Sequence, residues 1–151
     1  SFRAPNQGEP TAPLRQIASS GEVARVMLAI KTVLSEVDDL PILVFDEIDA
    51  NIGGKTAGAV AEELHSLGKI HQVFSITHLP LIAAAGDRQY LVEKQLDGDR
   101  TFTTMKELAE AERVAEITRM LGADSSDATA LAHAREMLRT AGGATPHATR
   151  K

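Results

Sequence analysis

The stretch Ile42-Leu43-Val44-Phe45-Asp46-Glu47-Ile48-Asp49-Ala50-Asn51-Ile52-Gly53-Gly54 passes from an apolar run into three carboxylates and then two glycines. Ile42 to Phe45 follow Pro41, are rich in β-branched and aromatic side chains and do not alternate with polar residues. That pattern predicts a strand covered on both faces, as in a parallel sheet. Ligands of such sheets bind at the carboxyl ends of the strands, which is where Asp46 and Glu47 would stand. Two adjacent acids beside an apolar core are costly unless a cation or a reacting water uses them. A hydrated Mg²⁺ on Asp46 and a water oriented by Glu47 would suit hydrolysis of a phosphoanhydride. A solvated acidic turn after a strand fits the same residues.

At 151 residues the chain is one domain or a large fragment of one, long enough to bury roughly two thirds of its unfolded surface. Its net charge of −5 argues against strong binding of a phosphate backbone by this piece alone, because such binding is driven by Lys and Arg releasing counterions. There is no cysteine, so a disulfide framework and a thiolate metal site are excluded, and a reducing compartment is expected. No apolar run approaches the ~20 residues that cross a bilayer, and no signal peptide opens the chain. A soluble protein is expected. The chain starts at Ser1 with no Met and Phe2 to Pro5 read as the tail of an extended segment, so an excised fragment is expected.

Residues 5–13, with Pro5, Asn6, Gly8, Pro10 and Pro13, have the composition of a loop. Val23, Val26, Met27, Ile30, Val33, Leu34 and Val37 then recur at three- and four-residue steps, predicting an amphipathic helix over about 22–38. Ser19, Ser20 and Gly21 fall at its N-terminus. Free N–H groups and the helix dipole suit that place to an anion such as a phosphate, and N-capping by Ser20 with Glu22 in the first turn is the simpler alternative.

After the acidic loop, Val60, Ala61, Leu64 and Leu67 predict a helix over 55–67, with Gly68 expected to end it as a C-terminal glycine. Gln72 to Ile76 read as a second strand, parallel to the first because a helix joins them. It runs into Thr77-His78-Leu79-Pro80, which brings His78 to the same end of the sheet as Asp46 and Glu47. Pro80 suits the first turn of a short helix to about Ala85. Residues 89–95 and 101–106 flank Asp97-Gly98-Asp99-Arg100 and predict an antiparallel hairpin. Helices over about 109–121, burying Val114, Ile117 and Leu121, and about 126–140, burying Ala130, Leu131, Ala134 and Leu138, are separated by Gly122. Residues 1–141 are expected to belong to one domain, and 142–151 to be a disordered tail.

Gly53-Gly54-Lys55-Thr56 invites a P-loop reading, but the first glycine of that pattern would fall on Asp49. Asp46, Glu47 and Asp49 would also repel a polyphosphate by several kcal/mol in a partly buried site. The chain carries no Walker A motif.

With these pieces placed, the chain resembles the C-terminal lobe of the ATPase head of the ABC class that serves DNA repair and chromosome maintenance, in its SMC-like RecN form. Ile17-Ala18-Ser19-Ser20-Gly21-Glu22 resembles the signature motif, and Ile42 to Glu47 resembles Walker B with its adjacent glutamate. Asp49 to Gly54 resembles the D-loop region and Val73 to Pro80 the switch-histidine segment. The likeness runs from about Asn6 to Leu138. It implies an α/β lobe with a short, mostly parallel sheet flanked by helices, a β-hairpin and two C-terminal helices, whose Walker A lobe lies beyond a long coiled coil. It further implies ATP and Mg²⁺ as cofactors, sandwiched between two heads of a homodimer that acts on DNA breaks in the nucleoid-associated cytoplasm. Asp46 would hold Mg²⁺, Glu47 would polarise the attacking water and His78 would contact the γ-phosphate in cis. Ser19, Ser20, Gly21 and Glu22 would meet the partner's ATP in trans, with Asp49 coupling the two sites.

Two positions depart from that pattern. Ser20 replaces the first glycine of Ser-Gly-Gly-Glu, adding a side chain where backbone and phosphate approach closely. Asn51 replaces the usual D-loop glycine, a milder change because Asn tolerates a left-handed backbone. Two other readings compete. Asp46-Glu47-Ile48-Asp49 and Ser75-Ile76-Thr77 imitate helicase motifs, although a helicase has no use for Ser19 to Glu22. The chain could also serve only as a docking or dimerisation module.

Overall fold

The computed structural model describes residues 18–34, 40–97 and 100–141. They fall into two compact units, one ending at Leu79 and the other beginning at Pro80.

The first unit contains α1 (Ser20–Leu34), β1 (Ile42–Phe45), α2 (Gly54–Gly68) and β2 (Gln72–Ser75). β1 and β2 pair in parallel, Ile42 with Gln72 and Phe45 with Ser75, as the helix between them requires. The pairing continues one residue past the strand, where the Ile76 N–H donates to the Phe45 carbonyl at 3.0 Å. Ala57, Val60, Ala61, Leu64 and Leu67 bury the inward stripe of α2, and Leu28, Leu43, Phe45 and Ile48 complete the core of this unit.

Three expectations change here. β1 is covered on one face only: Leu43 and Phe45 are buried, whereas Ile42 is 57% and Val44 67% exposed. The sequence run lacks alternation because both faces are apolar, yet the described residues supply a layer for just one. The stripe predicted for α1 is similarly open. Met27, Ile30, Val33 and Leu34 are exposed and the residue α1 buries is Leu28, which that stripe does not include; Val37 lies outside the described residues. Gly68 is the last residue of α2 and does not take the left-handed conformation. Lys69 follows at φ −75°, and its N–H donates to the Ser66 carbonyl, so the helix ends by tightening its last turn.

The second unit contains α3 (Pro80–Ala85), β3 (Tyr90–Asp97), β4 (Arg100–Glu107), α4 (Glu110–Met120) and α5 (Ala128–Ala141). The hairpin pairs Tyr90 with Glu107 and Asp97 with Arg100. Ala84, Ile117, Ala134 and Met137 form the centre of a three-helix core, against which Val114, Leu121 and Leu138 are packed. Thr118, which the apolar pattern passes over, is fully buried and donates its hydroxyl to the Val114 carbonyl at 2.8 Å. Glu112 receives the Ala109 N–H at 2.9 Å and pairs with Lys106, fastening the start of α4 to β4. None of the described helices is long and apolar enough to cross a membrane. The tail expected over 142–151 lies outside the described residues.

Candidate functional site

Parallel pairing puts the ends of β1 and β2 side by side, so the segments starting at Asp46 and at Ile76 leave the sheet at one rim. Asp46 and Glu47 are exposed there. The Glu47 N–H donates to Asp46 Oδ1 at 2.9 Å, which uses one carboxylate oxygen of Asp46 locally. The chain then turns tightly: the Ala50 N–H donates to the Glu47 carbonyl at 3.0 Å. Glu47 has φ +56° and Asn51 φ +58°. Asn51 is among the residues that tolerate that left-handed region. Glu47 is less suited to that region, and a non-glycine residue held there costs on the order of 1–2 kcal/mol.

Asp49 points inward and is 3% exposed. Its Oδ2 accepts the Thr77 hydroxyl at 2.6 Å and the His78 N–H at 2.8 Å, and lies 3.0 Å from His78 Nδ1. Burial on its own would raise the pKa of this carboxyl, but the bonds from Thr77 and His78 outweigh it and hold the group below the usual aspartate range. The ring of His78 is 72% exposed.

The start of α1 is pressed against the same turn. A Cβ placed on Gly21 would lie 2.8 Å from Ala50 Cβ and 2.9 Å from the Glu47 carbonyl oxygen. Arg25, one helical turn on, donates to the carbonyls of Ile48 at 3.2 Å and Ala50 at 3.0 Å. The N-cap is Ser19, not Ser20. The Ser19 carbonyl accepts the Val23 N–H, its hydroxyl accepts the Glu22 N–H at 3.3 Å, and Glu22 Oε2 receives the Ser19 N–H at 2.8 Å. This reciprocal box satisfies two of the free donors at the helix start and lowers the Glu22 carboxyl pKa through those bonds to Ser19. Ser20 is left exposed in the first turn. Gly21 is buried, so its lack of a side chain serves packing against the turn.

The first unit therefore collects Asp46, Glu47, Asp49 and His78 with the helix tip Ser19, Ser20, Gly21 and Glu22. Asp49, expected to couple two nucleotide sites, spends its carboxylate on Thr77 and His78 of its own chain. Sequence reasoning passed over Thr77 and Arg25. Thr77 could have been noticed as the hydroxyl next to His78 at a strand end, and Arg25 as the cation one turn after Gly21. A groove of about 610 Å³ opens between α1 and β1, with Ser20, Val23, Met27, Val44 and Asp46 along it. Among the described residues no group of three or more His, Cys, Asp or Glu side chains is placed to hold a metal. Asp46, like the exposed Glu47 beside it, offers a hard oxygen donor of the kind Mg²⁺ takes, and that ion commonly keeps several waters and phosphate oxygens as its other ligands.

No protein-family model matches the chain. Curated relatives match it clearly. The DNA repair protein RecN of Treponema pallidum is 53% identical over 134 residues, 89% of this chain and 23% of that protein. RecN of Deinococcus radiodurans is 50% identical over 133 residues, 88% of this chain and 23% of that protein. RecN of Streptomyces coelicolor is 46% identical over 138 residues, 91% of this chain and 24% of that protein. The chain thus spans about a quarter of the length of these relatives. A solved chain from work on ATP-driven dimerization and DNA-stimulated activation of SMC ATPases superposes with a TM-score of 0.51 at 20% identity, over 74% of this chain and 66% of that one. At that identity the likeness speaks for the fold, an α/β lobe of the SMC ATPase head type.

Proposed function

The chain belongs with the RecN proteins as a segment matching about a quarter of their length, and on that premise we propose that it is the C-terminal lobe of an ATP-hydrolysing head in DNA double-strand-break repair. The observation that carries this reading is the gathering of an acid pair, an aspartate-held histidine and a helix N-terminus at one end of a parallel sheet.

Asp46, exposed at the rim, would hold Mg²⁺ through water. The ion, when bound, would neutralise charge on the nucleotide's phosphates. Glu47, carried out of the sheet by its left-handed turn, would orient the attacking water and accept its proton. His78 would meet the γ-phosphate in cis through its exposed ring. Ser19, Ser20, Gly21 and Glu22 would face the nucleotide of a second head in trans, where the remaining N–H groups of the first turn of α1 suit an anion. Because Gly21 and Arg25 clamp the helix tip to the turn that carries Glu47, the cis acids and the trans-facing tip would move as one piece.

The open faces of α1 and β1 favour this reading over that of a self-sufficient module. Ile42, Val44, Met27 and Ile30 are apolar and exposed, as they would be where the Walker A lobe of the same protein docks. That lobe, a second head and DNA reached through the full-length protein are the proposed partners, and the nucleoid-associated cytoplasm the proposed location. The experiment that tests the reading compares this chain alone with the chain joined to a Walker A lobe. The lone chain should neither hydrolyse ATP nor bind it tightly, and the joined protein should do both. Robust ATP hydrolysis by the lone chain would overturn the composite site.

A further inference from the structure

The geometry points to Asp49 as a positioning residue that holds the ring of His78 in one orientation from within the same chain. The inference rests on His78 being the residue that meets the nucleotide, as proposed above. Oδ2 of Asp49 gathers three donors, the Thr77 hydroxyl, the His78 N–H and the His78 ring at Nδ1, between 2.6 and 3.0 Å. The carboxylate is buried and the ring it serves is not. A ring so exposed has little packing to select its rotamer, so this bond is what sets its direction.

The proton arrangement follows from the partners. The Thr77 hydroxyl accepts the Leu79 N–H at 3.0 Å and gives its own proton to Asp49, which leaves the carboxylate as acceptor only. An acceptor at Nδ1 selects the form of the imidazole with its proton there, and turns Nε2 outward. To donate to an anion at Nε2 the ring must carry both protons, the one at Nδ1 being directed at Asp49. Asp49 itself cannot swing away cheaply. Arg25 grips the carbonyls of Ile48 and Ala50 on either side of it, so the turn is tied to α1 at its backbone and to the end of β2 at its side chain.

The test uses the full-length protein that contains this chain, with ¹⁵N-labelled histidine and the variants Asp49→Asn, His78→Ala and the double variant. In the unmodified protein the neutral His78 ring should be in the Nδ1–H form, and in Asp49→Asn it should revert to a mixture of tautomers. The kcat for ATP should fall about tenfold in Asp49→Asn, the scale at which an orienting partner acts, with KM changed by less than about twofold. Adding Asp49→Asn to His78→Ala should cost nothing further, because Asp49 acts through the ring. Thr77→Val, which removes one donor and leaves the carboxylate, should give the same pattern at smaller size, and Thr77→Ser should restore it. An unchanged tautomer in Asp49→Asn, or a loss that simply adds to that of His78→Ala, would overturn the inference. Release of the tautomer by Asp49→Asn together with normal turnover by His78→Ala would support the positioning and remove His78 from the nucleotide, a failure of the reading on which it rests.

Discussion

Gly21, in the first turn of α1, sits so close to the turn after β1 that a Cβ on it would approach the Glu47 carbonyl oxygen to 2.9 Å. The neighbours are backbone and a short alanine side chain, which have little room to yield. Gly21→Ala should therefore destabilise the protein by about 1–3 kcal/mol, the usual cost of forcing an extra methyl into a filled space. Urea denaturation of the two proteins measures the difference. A change near zero would mean that helix and turn separate easily, which would remove the link between the acids and the helix tip.

Glu47 carries a strained backbone at φ +56°. Glu47→Gly and Glu47→Ala both delete the side chain, but only glycine relieves the left-handed conformation. The glycine variant should be the more stable by about 0.5–1 kcal/mol, the relief less the extra entropy glycine loses on folding. Equal stabilities by thermal or urea denaturation would mean that the turn relaxes around alanine and stores no strain.

Asp49 gives the protein a dependence on acid with a definite sign. Its carboxyl is held below the ordinary aspartate range against the effect of burial, by Thr77 and His78, so the unfolded chain binds that proton more readily. The stabilisation is complete above the ordinary aspartate pKa of about 4 and is lost as pH falls through the lower folded value. Other acids also titrate, so the informative quantity is the stability of the unmodified protein minus that of Asp49→Asn. It should shrink as pH falls from about 5 towards 3. A difference that grows over that window would contradict the arrangement around Asp49.

Much of this was readable from residues in order. The apolar runs of β1 and β2, the spacing of Val60, Ala61, Leu64 and Leu67, and the turn residues after Gln95 report on local periods, and each element forms close to where those periods place it. What stayed hidden depends on residues distant in the chain. Asp49 reads as an exposed loop acid until Thr77 and His78 are brought against it across the sheet. Ser19 and Ser20 are equivalent as capping residues by type, and the register of the first helical hydrogen bond, from Val23 to Ser19, decides between them. The apolar pattern of Ile42, Val44, Met27 and Ile30 identifies faces meant for burial, but a pattern does not say whether the covering layer lies in the same segment. For these residues the described structure provides none.

Glu47 is proposed above to act on water at a nucleotide held jointly by this lobe and residues outside it. Glu47→Gln keeps the size and hydrogen-bonding reach of the side chain while removing its capacity as a base. In the full-length protein the variant should bind ATP and dimerise as before, while steady-state turnover falls by about 10²-fold or more. Turnover unchanged from the unmodified protein, with binding and dimerisation intact, would contradict the account.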